Sequence, residues 1–432
     1  MLTPRLLILV GVSYLLGLTA AQSMADAPKC GVTCFMQAMS QPEYANKTQA
    51  QLCVDESFTD LVGGCAKEAC SVVEGLTFLN VTRTACGIPI TDHRNEARVT
   101  SLVMFTLATV FFACRIIAKS LRFSPWGLDD TLLLIAFAFL ISFVILIQYM
   151  IPQGLGLDIW VLNENQIASF LRYLLVVQTH YIFVLAIIKA SILYFFLRIF
   201  PDKKFRNIVW ATLAYDLLIG LIFIVLSFVQ RQPTWLIWEG WRDKDPQGVV
   251  VDLNKMGLAH GGMNIALDVW MLVLPLTQLY KLNLKPRKKL GIMAMFCVGI
   301  FLTVVSIIRV HSLIYFATSS NATADARGTI IWSCIELCTG VVVSCMPNAR
   351  QLLREGTRQI RDVTTNLTGR STGAGSQNST SRRRIQGQSH EMGVPINSPD
   401  ATTTTPSKSG RSSPTITQTD HASSFKSAET QA

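Results

Sequence analysis

The sequence is 432 residues long, 50% hydrophobic and only 15% charged, with a mean hydropathy of +0.37. That balance excludes an ordinary soluble globular protein. The net charge of +10 is spread over loops on one side of the apolar runs and over the tail, so it speaks of membrane topology and not of nucleic-acid binding.

Residues 1–21 have a basic start at Arg5, an apolar core from Leu6 to Leu18 and small residues at Thr19-Ala20-Ala21. This is the pattern of a cleaved secretory signal. Residues 22–90 carry Cys30, Cys34, Cys53, Cys65, Cys70 and Cys86. An even number of cysteines in a short segment behind a signal predicts three disulfides in an oxidising compartment, with their connectivity open. Asn46 and Asn80 head glycosylation sequons in this segment.

Seven apolar runs follow, near 97–119, 129–151, 169–197, 207–229, 256–280, 290–316 and 328–347. Each approaches or exceeds the ~20 residues that cross a bilayer as a helix. The signal puts the amino-terminal domain outside, so the first run crosses inward. The loops then expected inside carry Lys119 and Arg122, then Arg198, Lys203, Lys204 and Arg206, then a basic cluster from Lys281 to Lys289. The loops expected outside are mixed or acidic, with Asp158, Glu164, Glu239, Asp243, Asp245 and Asp325. Both signals predict a plasma-membrane protein with its amino terminus outside and its carboxyl terminus inside. A third sequon, at Asn321, falls on an outside loop.

Polar side chains deep in the runs include Lys189, Asp216, Asn264, Asp268, Arg309 and Glu336. Unpaired charges there cost several kcal/mol, so they should pair. Depth along each helix predicts Arg309 with Glu336, and Lys189 with Asp268, Asp216 being its second choice. Exchanging the Arg309 and Glu336 charges should then restore part of what either single change loses. Trp235, Trp238 and Trp241, three apart, form one aromatic face if their loop is helical. That face reads first as an interfacial anchor and second as a lid over a binding mouth. Arg350, Arg354, Arg358 and Arg361 predict an amphipathic helix over 351–368, lying on anionic membrane lipid. Residues 369–432 are rich in Ser and Thr and read as a disordered cytoplasmic tail.

The fold class expected is an all-α membrane protein, a seven-helix transmembrane bundle at 91–350 preceded by a small disulfide-rich helical extracellular domain at 22–90. The six histidines (93, 180, 260, 311, 390 and 421) are scattered, and no nucleophile–base or metal-ligand constellation stands out. No enzyme activity and no metal site are expected.

Two stretches resemble known families. Pro28 to Cys34, Cys65 with Cys70, and Cys86-Gly87-Ile88-Pro89 resemble the CFEM domain of fungal extracellular membrane proteins. That family usually has eight cysteines. Here Asp55 stands where the second cysteine of a central C-x-C would be, and a cysteine between Cys34 and Cys53 is missing. Its haem-scavenging branch binds iron through an aspartate just before that motif. Thr48 to Leu52 contain none, so no haem is expected. Gly127 to Asp130, Gly154 to Trp160, Leu197 to Pro201, Ala266 to Trp270, Ser306 to Arg309, Glu336 and Pro347 resemble the fungal seven-helix rhodopsin-domain proteins. The resemblance implies a receptor-like protein sensing an unknown extracellular or host-surface ligand, with a heterotrimeric G protein as inner partner. Residues 328–347 have no lysine for a Schiff base, so no retinal is expected. The alternative is a surface CFEM protein serving as a virulence factor or in haem and iron acquisition. A transporter ranks below both.

Overall fold

The computed structural model describes residues 27–244, 248–250, 253–280 and 286–371. The expected signal segment, the charged groups of the Lys281–Lys289 cluster and the tail beyond Ser371 lie outside the described residues.

Four short helices come first: α1 (Lys29–Met39), α2 (Gln49–Val54), α3 (Glu56–Ala69) and α4 (Val72–Ala85). The sequence marks three of their starts. The Thr48 amide donates to Gln51 Oε1 at 2.8 Å, and Asp55 Oδ1 accepts from the Phe58 amide at 3.2 Å. Ser71 and Glu74 cap each other reciprocally. Helices of this length are marginal alone. Here they close on Tyr44, Leu52, Phe58, Val62 and Phe78, and three disulfides pin them: Cys30–Cys70, Cys34–Cys65 and Cys53–Cys86.

Lys47, in the stretch that lacks a cysteine, meets Asp55 across 2.6 Å. An ion pair thus joins Asp55 to the stretch between Cys34 and Cys53. Asp55 is also the amino-terminal cap of α3.

Seven long apolar helices follow: α5 (Arg94–Ser120), α6 (Leu128–Met150), α7 (Glu164–Ile199), α8 (Lys203–Val229), α10 (Leu253–Tyr280), α11 (Pro286–Thr318) and α12 (Ala322–Ser371). Between α8 and α10 lies a small antiparallel ribbon, β1 (Arg231–Gln232) with β2 (Val249–Val250), enclosing the one-turn helix α9 (Leu236–Glu239). The bundle core is apolar, with Leu133, Leu140, Phe143, Val184, Leu193, Leu337 and Val341 all buried. On α8, by contrast, Leu217, Leu218, Leu221 and Val225 are exposed, a belt that only a lipid surface tolerates. The seven helices thus form a transmembrane bundle, and the fold is all-α.

Two expectations are corrected. The arginine-rich segment after Pro347 is no separate helix; α12 runs unbroken for 50 residues with Pro347 inside it. Gln351 ties that extension to the bundle by donating to the Phe123 carbonyl at 2.7 Å. The three tryptophans do not share a helical face either, because α9 has only four residues. Trp235 is exposed, Trp238 stacks under Arg172, and Trp241 Nε1 is buried.

The Lys47 hydrogen bond, then the Phe58 amide, hold the Asp55 carboxyl below its ordinary range. A depressed carboxylate stabilises the fold above its unfolded pKa, about 3.9, and that share is lost as pH falls through the folded value. Acid melting of wild type against Asp55→Asn should therefore converge at low pH, with wild type the more stable near neutrality. Parallel melting curves across the acid range would contradict the assignment.

Candidate functional site

The middle of the bundle holds one connected polar network. Lys189 of α7, Asn264 and Asp268 of α10, Ser306 and Arg309 of α11, and Ser333 and Glu336 of α12 are all at least nine-tenths buried. Lys189 Nζ lies 2.7 Å from Asp268 Oδ1 and also donates to Asn264 Oδ1. The Asn264 amide then donates to Glu336 Oε1 at 2.8 Å. Asn264 and Asp268 reach this point together because they are one turn apart on α10.

Arg309 enters from another side. Its Nε donates to Ser333 at 3.1 Å, and its guanidinium lies 4.0 Å from the ring centre of Tyr181. Glu336 Oε2 is 3.9 Å from Arg309 Nε, while the Tyr181 hydroxyl donates to that same oxygen at 2.8 Å. The two pairs expected from the sequence are therefore parts of one net, with Tyr181 between Arg309 and Glu336. Sequence reasoning missed Tyr181, Ser306 and Ser333. Their only signal was spacing: Ser306 and Ser333 each stand three residues before a charged residue of the same helix.

Ser306 Oγ lies 2.8 Å from Asp268 Oδ2 and 2.7 Å from Glu336 Oε1, with the Leu302 carbonyl at 3.1 Å. A hydroxyl has one proton to give. Ser306 therefore stands between the two carboxylates and can donate fully to only one of them at a time. Asp216 of α8 lies beside this net, in a small cavity shared with His260 and Asn264. Its Oδ2 is buried and has no hydrogen-bond partner among the described residues. Lys189 is held by Asp268 and Asn264 instead.

A second buried cluster closes the end of the bundle away from the disulfide domain; the sequence offered Lys119 and Arg198 only as loop charges and Gly127 to Asp130 only as a family-like run, and missed Arg115. Arg115 of α5 meets Asp129 Oδ2 at 2.6 Å and Asp130 Oδ1 at 2.7 Å, both on α6, and donates to the Ser344 carbonyl of α12. Lys119 reaches Asp130 at 2.8 Å, and Arg198 of α7 reaches Asp129 at 3.1 Å. Gly127 is required here, because a Cβ would sit 2.4 Å from Asp129 Oδ1. The available signal was Arg115 itself, an arginine inside an apolar run.

At the opposite end, the Gly154–Trp160 stretch joins three parts of the chain. Gly156 has φ +86 and packs against the His93 backbone; its amide donates to the Thr323 carbonyl at 3.0 Å, and its carbonyl accepts from the His93 amide at 2.8 Å. Asp158 accepts from the Thr91 amide and from the Asn321 side chain. Trp160 lies under the Arg83 guanidinium of α4, at 4.2 Å.

This affects the three sequons differently. Asn46 is exposed and Asn80 is half-buried on α4. Asn321 spends its amide on Asp158 at 2.7 Å and its carbonyl on the Ile159 amide at 3.0 Å, and Thr323 is buried. A glycan on Asn321 Nδ2 would crowd the bond to Asp158.

An apolar cavity of about 520 Å³ opens between α7, α10, α11 and α12, lined by Ile188, Phe196, Met271, Val343 and Pro347, with Lys189 and Asp268 in its wall. It does not suit retinal. A Schiff base needs a free lysine; α12 has none, and Lys189 is held by Asp268 and Asn264. Nor does the disulfide domain suit haem through the family's aspartate. No carboxylate precedes Cys53 in 48–52, and Asp55 is spent on Lys47 and on its helix cap. Among the described residues no three His, Cys, Asp or Glu side chains gather as a metal site requires.

Comparison with known proteins places this geometry. The family model described as the Fungal rhodopsin domain matches residues 114–355, and that of the CFEM domain matches residues 23–87. Fugralins biosynthesis cluster protein 2 of Gibberella zeae is 23% identical over 213 residues, covering 47% of this chain and 51% of that protein. The SAT4 family membrane protein of Emericella nidulans is 28% identical over 163 residues, 37% of this chain and 40% of its own length. Receptor GIN3 of Arthrobotrys oligospora is 23% identical over 188 residues, 44% of this chain and 45% of its own. The chain thus spans about half the length of the curated relatives it matches. No solved structure matches. Since the first family model covers more than half of the sequence, the chain belongs to the fungal rhodopsin domain family of membrane proteins, and it carries a CFEM domain ahead of its seven-helix bundle.

Proposed function

We propose that this chain is a plasma-membrane receptor that takes an extracellular cue at its CFEM end and relays it inward through the bundle. The observation that carries this reading is the buried net. It ties α7, α10, α11 and α12 together through short polar contacts, and it has three carboxylates (Asp216, Asp268, Glu336) for two cations (Lys189, Arg309). A bundle held only for stability gains little from buried charge, since apolar replacements often do as well. A net with Asp216 beside it, one carboxylate more than its two cations balance, suits an element with two arrangements. The likeness to a receptor of another fungus supports the same reading. The apolar cavity lies at the end expected to face the cytoplasm, between four linked helices, and fits docking of a G-protein segment.

The function test uses the full-length chain and one lacking the CFEM domain, both at the plasma membrane of a fungal deletion strain. The shortened chain should lose the response to a surface cue. An undiminished response would sink the reading.

Orientation is tested by glycosidase shift. Asn46→Gln should abolish a glycan, because Asn46 is exposed on the side proposed to face the lumen. Asn321→Gln should change nothing. A glycan at Asn321 alone would contradict both the seam geometry and this expectation.

Glu336→Gln should cost about 3–5 kcal/mol by leaving Arg309 without its nearest countercharge, read as a loss of folded yield. The exchange Arg309→Glu with Glu336→Arg should not restore that yield. A guanidinium at 336 would face the donors of Tyr181, Asn264 and Ser306, which the pairing inferred from depth alone left out. Recovery to wild-type yield in fluorescence-detected size exclusion would show that charge alone matters there.

A further inference from the structure

The seam between the CFEM domain and the bundle holds a polar pocket of about 640 Å³. Small-molecule sites commonly occupy about 300–1,000 Å³. Its walls come from four parts of the chain, including Arg83 of α4, Asp158 and Trp160 of the α6–α7 connection, Tyr315 of α11 and Arg327 of α12.

The polar groups of this pocket are unevenly spent. Asp158 uses both oxygens on the fold itself, one on the Thr91 amide at 2.8 Å and one on Asn321 at 2.7 Å. Asp325 accepts from Ser319. The arginines are different. Arg83 stacks on Trp160, and its guanidinium meets no acceptor among the described residues. Arg327 pairs with Glu96 through Nη1, yet its Nε is buried with no acceptor. A buried, unspent donor on a charged group is costly unless something arrives to accept from it. The pocket therefore has donors left over on two guanidinium groups, Arg83 and the Nε of Arg327, and beside them the hydroxyls of Thr318 and Ser319, whose own protons are spent on the fold, and of Ser320. Tyr315, 63% exposed, adds an aromatic surface.

We propose that this seam pocket binds a small hydroxylated carboxylate of the sugar-acid class, its carboxylate held by Arg83 and Arg327 and its hydroxyls by the Thr318–Ser320 turn. Arginine is suited to this because its planar fork matches a carboxylate. The site deepens the receptor reading and rests on it for its purpose, since it gives the cue a chemical class. A bound carboxylate would bridge the CFEM domain to α12. Arg327 lies nine residues before Glu336 on that helix, about 14 Å along its axis.

The test is direct binding to the full-length protein in lipid nanodiscs, by calorimetric titration with D-glucuronate. D-glucose lacks the carboxylate, and acetate lacks the hydroxyls. Glucuronate should bind saturably, and each control about tenfold more weakly or worse. Arg83→Gln, which gives up the cation over the buried Trp160 ring but breaks no ion pair of the bundle, should weaken glucuronate about tenfold in protein that still runs as a folded monodisperse species. Arg327→Gln should do the same where it folds. Absent saturable glucuronate binding, unchanged affinity in Arg83→Gln, or either control binding as tightly as glucuronate would overturn the proposal. Binding is read without any signalling step. A chain that binds glucuronate and relays nothing would overturn the receptor reading and leave this site standing.

Discussion

A charge buried in lipid-spanning helices must find its partners within the same protein, and this chain is arranged around that constraint. Lys189 and Arg309 are buried, so α7, α10, α11 and α12 have to meet where Asp268, Asn264, Ser306 and Glu336 can receive them. That meeting point fixes the rotation of four helices about their own axes. Apolar packing alone would tolerate other rotations, since leucine and isoleucine on neighbouring faces are nearly interchangeable. The helices outside this group are freer. On α8 the row of exposed leucines and valines presents only apolar surface to lipid, while Asp216 faces inward.

The polar groups of the bundle fall into layers of opposite balance. The central layer has more carboxylates than cations. The layer at the far end, around Arg115, has three cations, Arg115, Lys119 and Arg198, for two aspartates. The seam at the CFEM end differs again, with backbone amides and carbonyls taking much of the bonding around Gly156 and Asp158. Each layer suits its surroundings. Backbone-rich bonding belongs where loops meet, and an excess of cations belongs near lipid headgroups.

Much of this fold was legible because length and apolarity alone decide what can span a bilayer. The seven helices follow directly from that rule. The cysteine count was legible too, but six cysteines allow 15 pairings, and only the packing of α1 to α4 selects one. The site was less legible, for physical reasons. Tyr181, Ser306 and Ser333 are ordinary residues whose role depends on helix rotation, which no pattern in one chain reveals. Arg115 near the end of a run looks like a flanking topology charge, although it is 2% exposed. Pro347 looked like a helix terminus, yet α12 continues through it. The Gly154–Trp160 run was recognisable as a motif, but its work as a three-way joint needed coordinates.

That unbroken α12 is fastened at its start and again at Gln351, part-way along. Thr323 donates to the Leu157 carbonyl at 2.6 Å, and Gln351 donates to the Phe123 carbonyl at 2.7 Å. The two fastenings are 28 residues apart on one helix, about 42 Å, close to a bilayer with its headgroups. A helix held in this way cannot slide or shorten to suit its surroundings. It acts as a gauge of membrane thickness. In a thinner bilayer the whole bundle has to tilt or draw lipid up around itself, at a cost that grows with the mismatch.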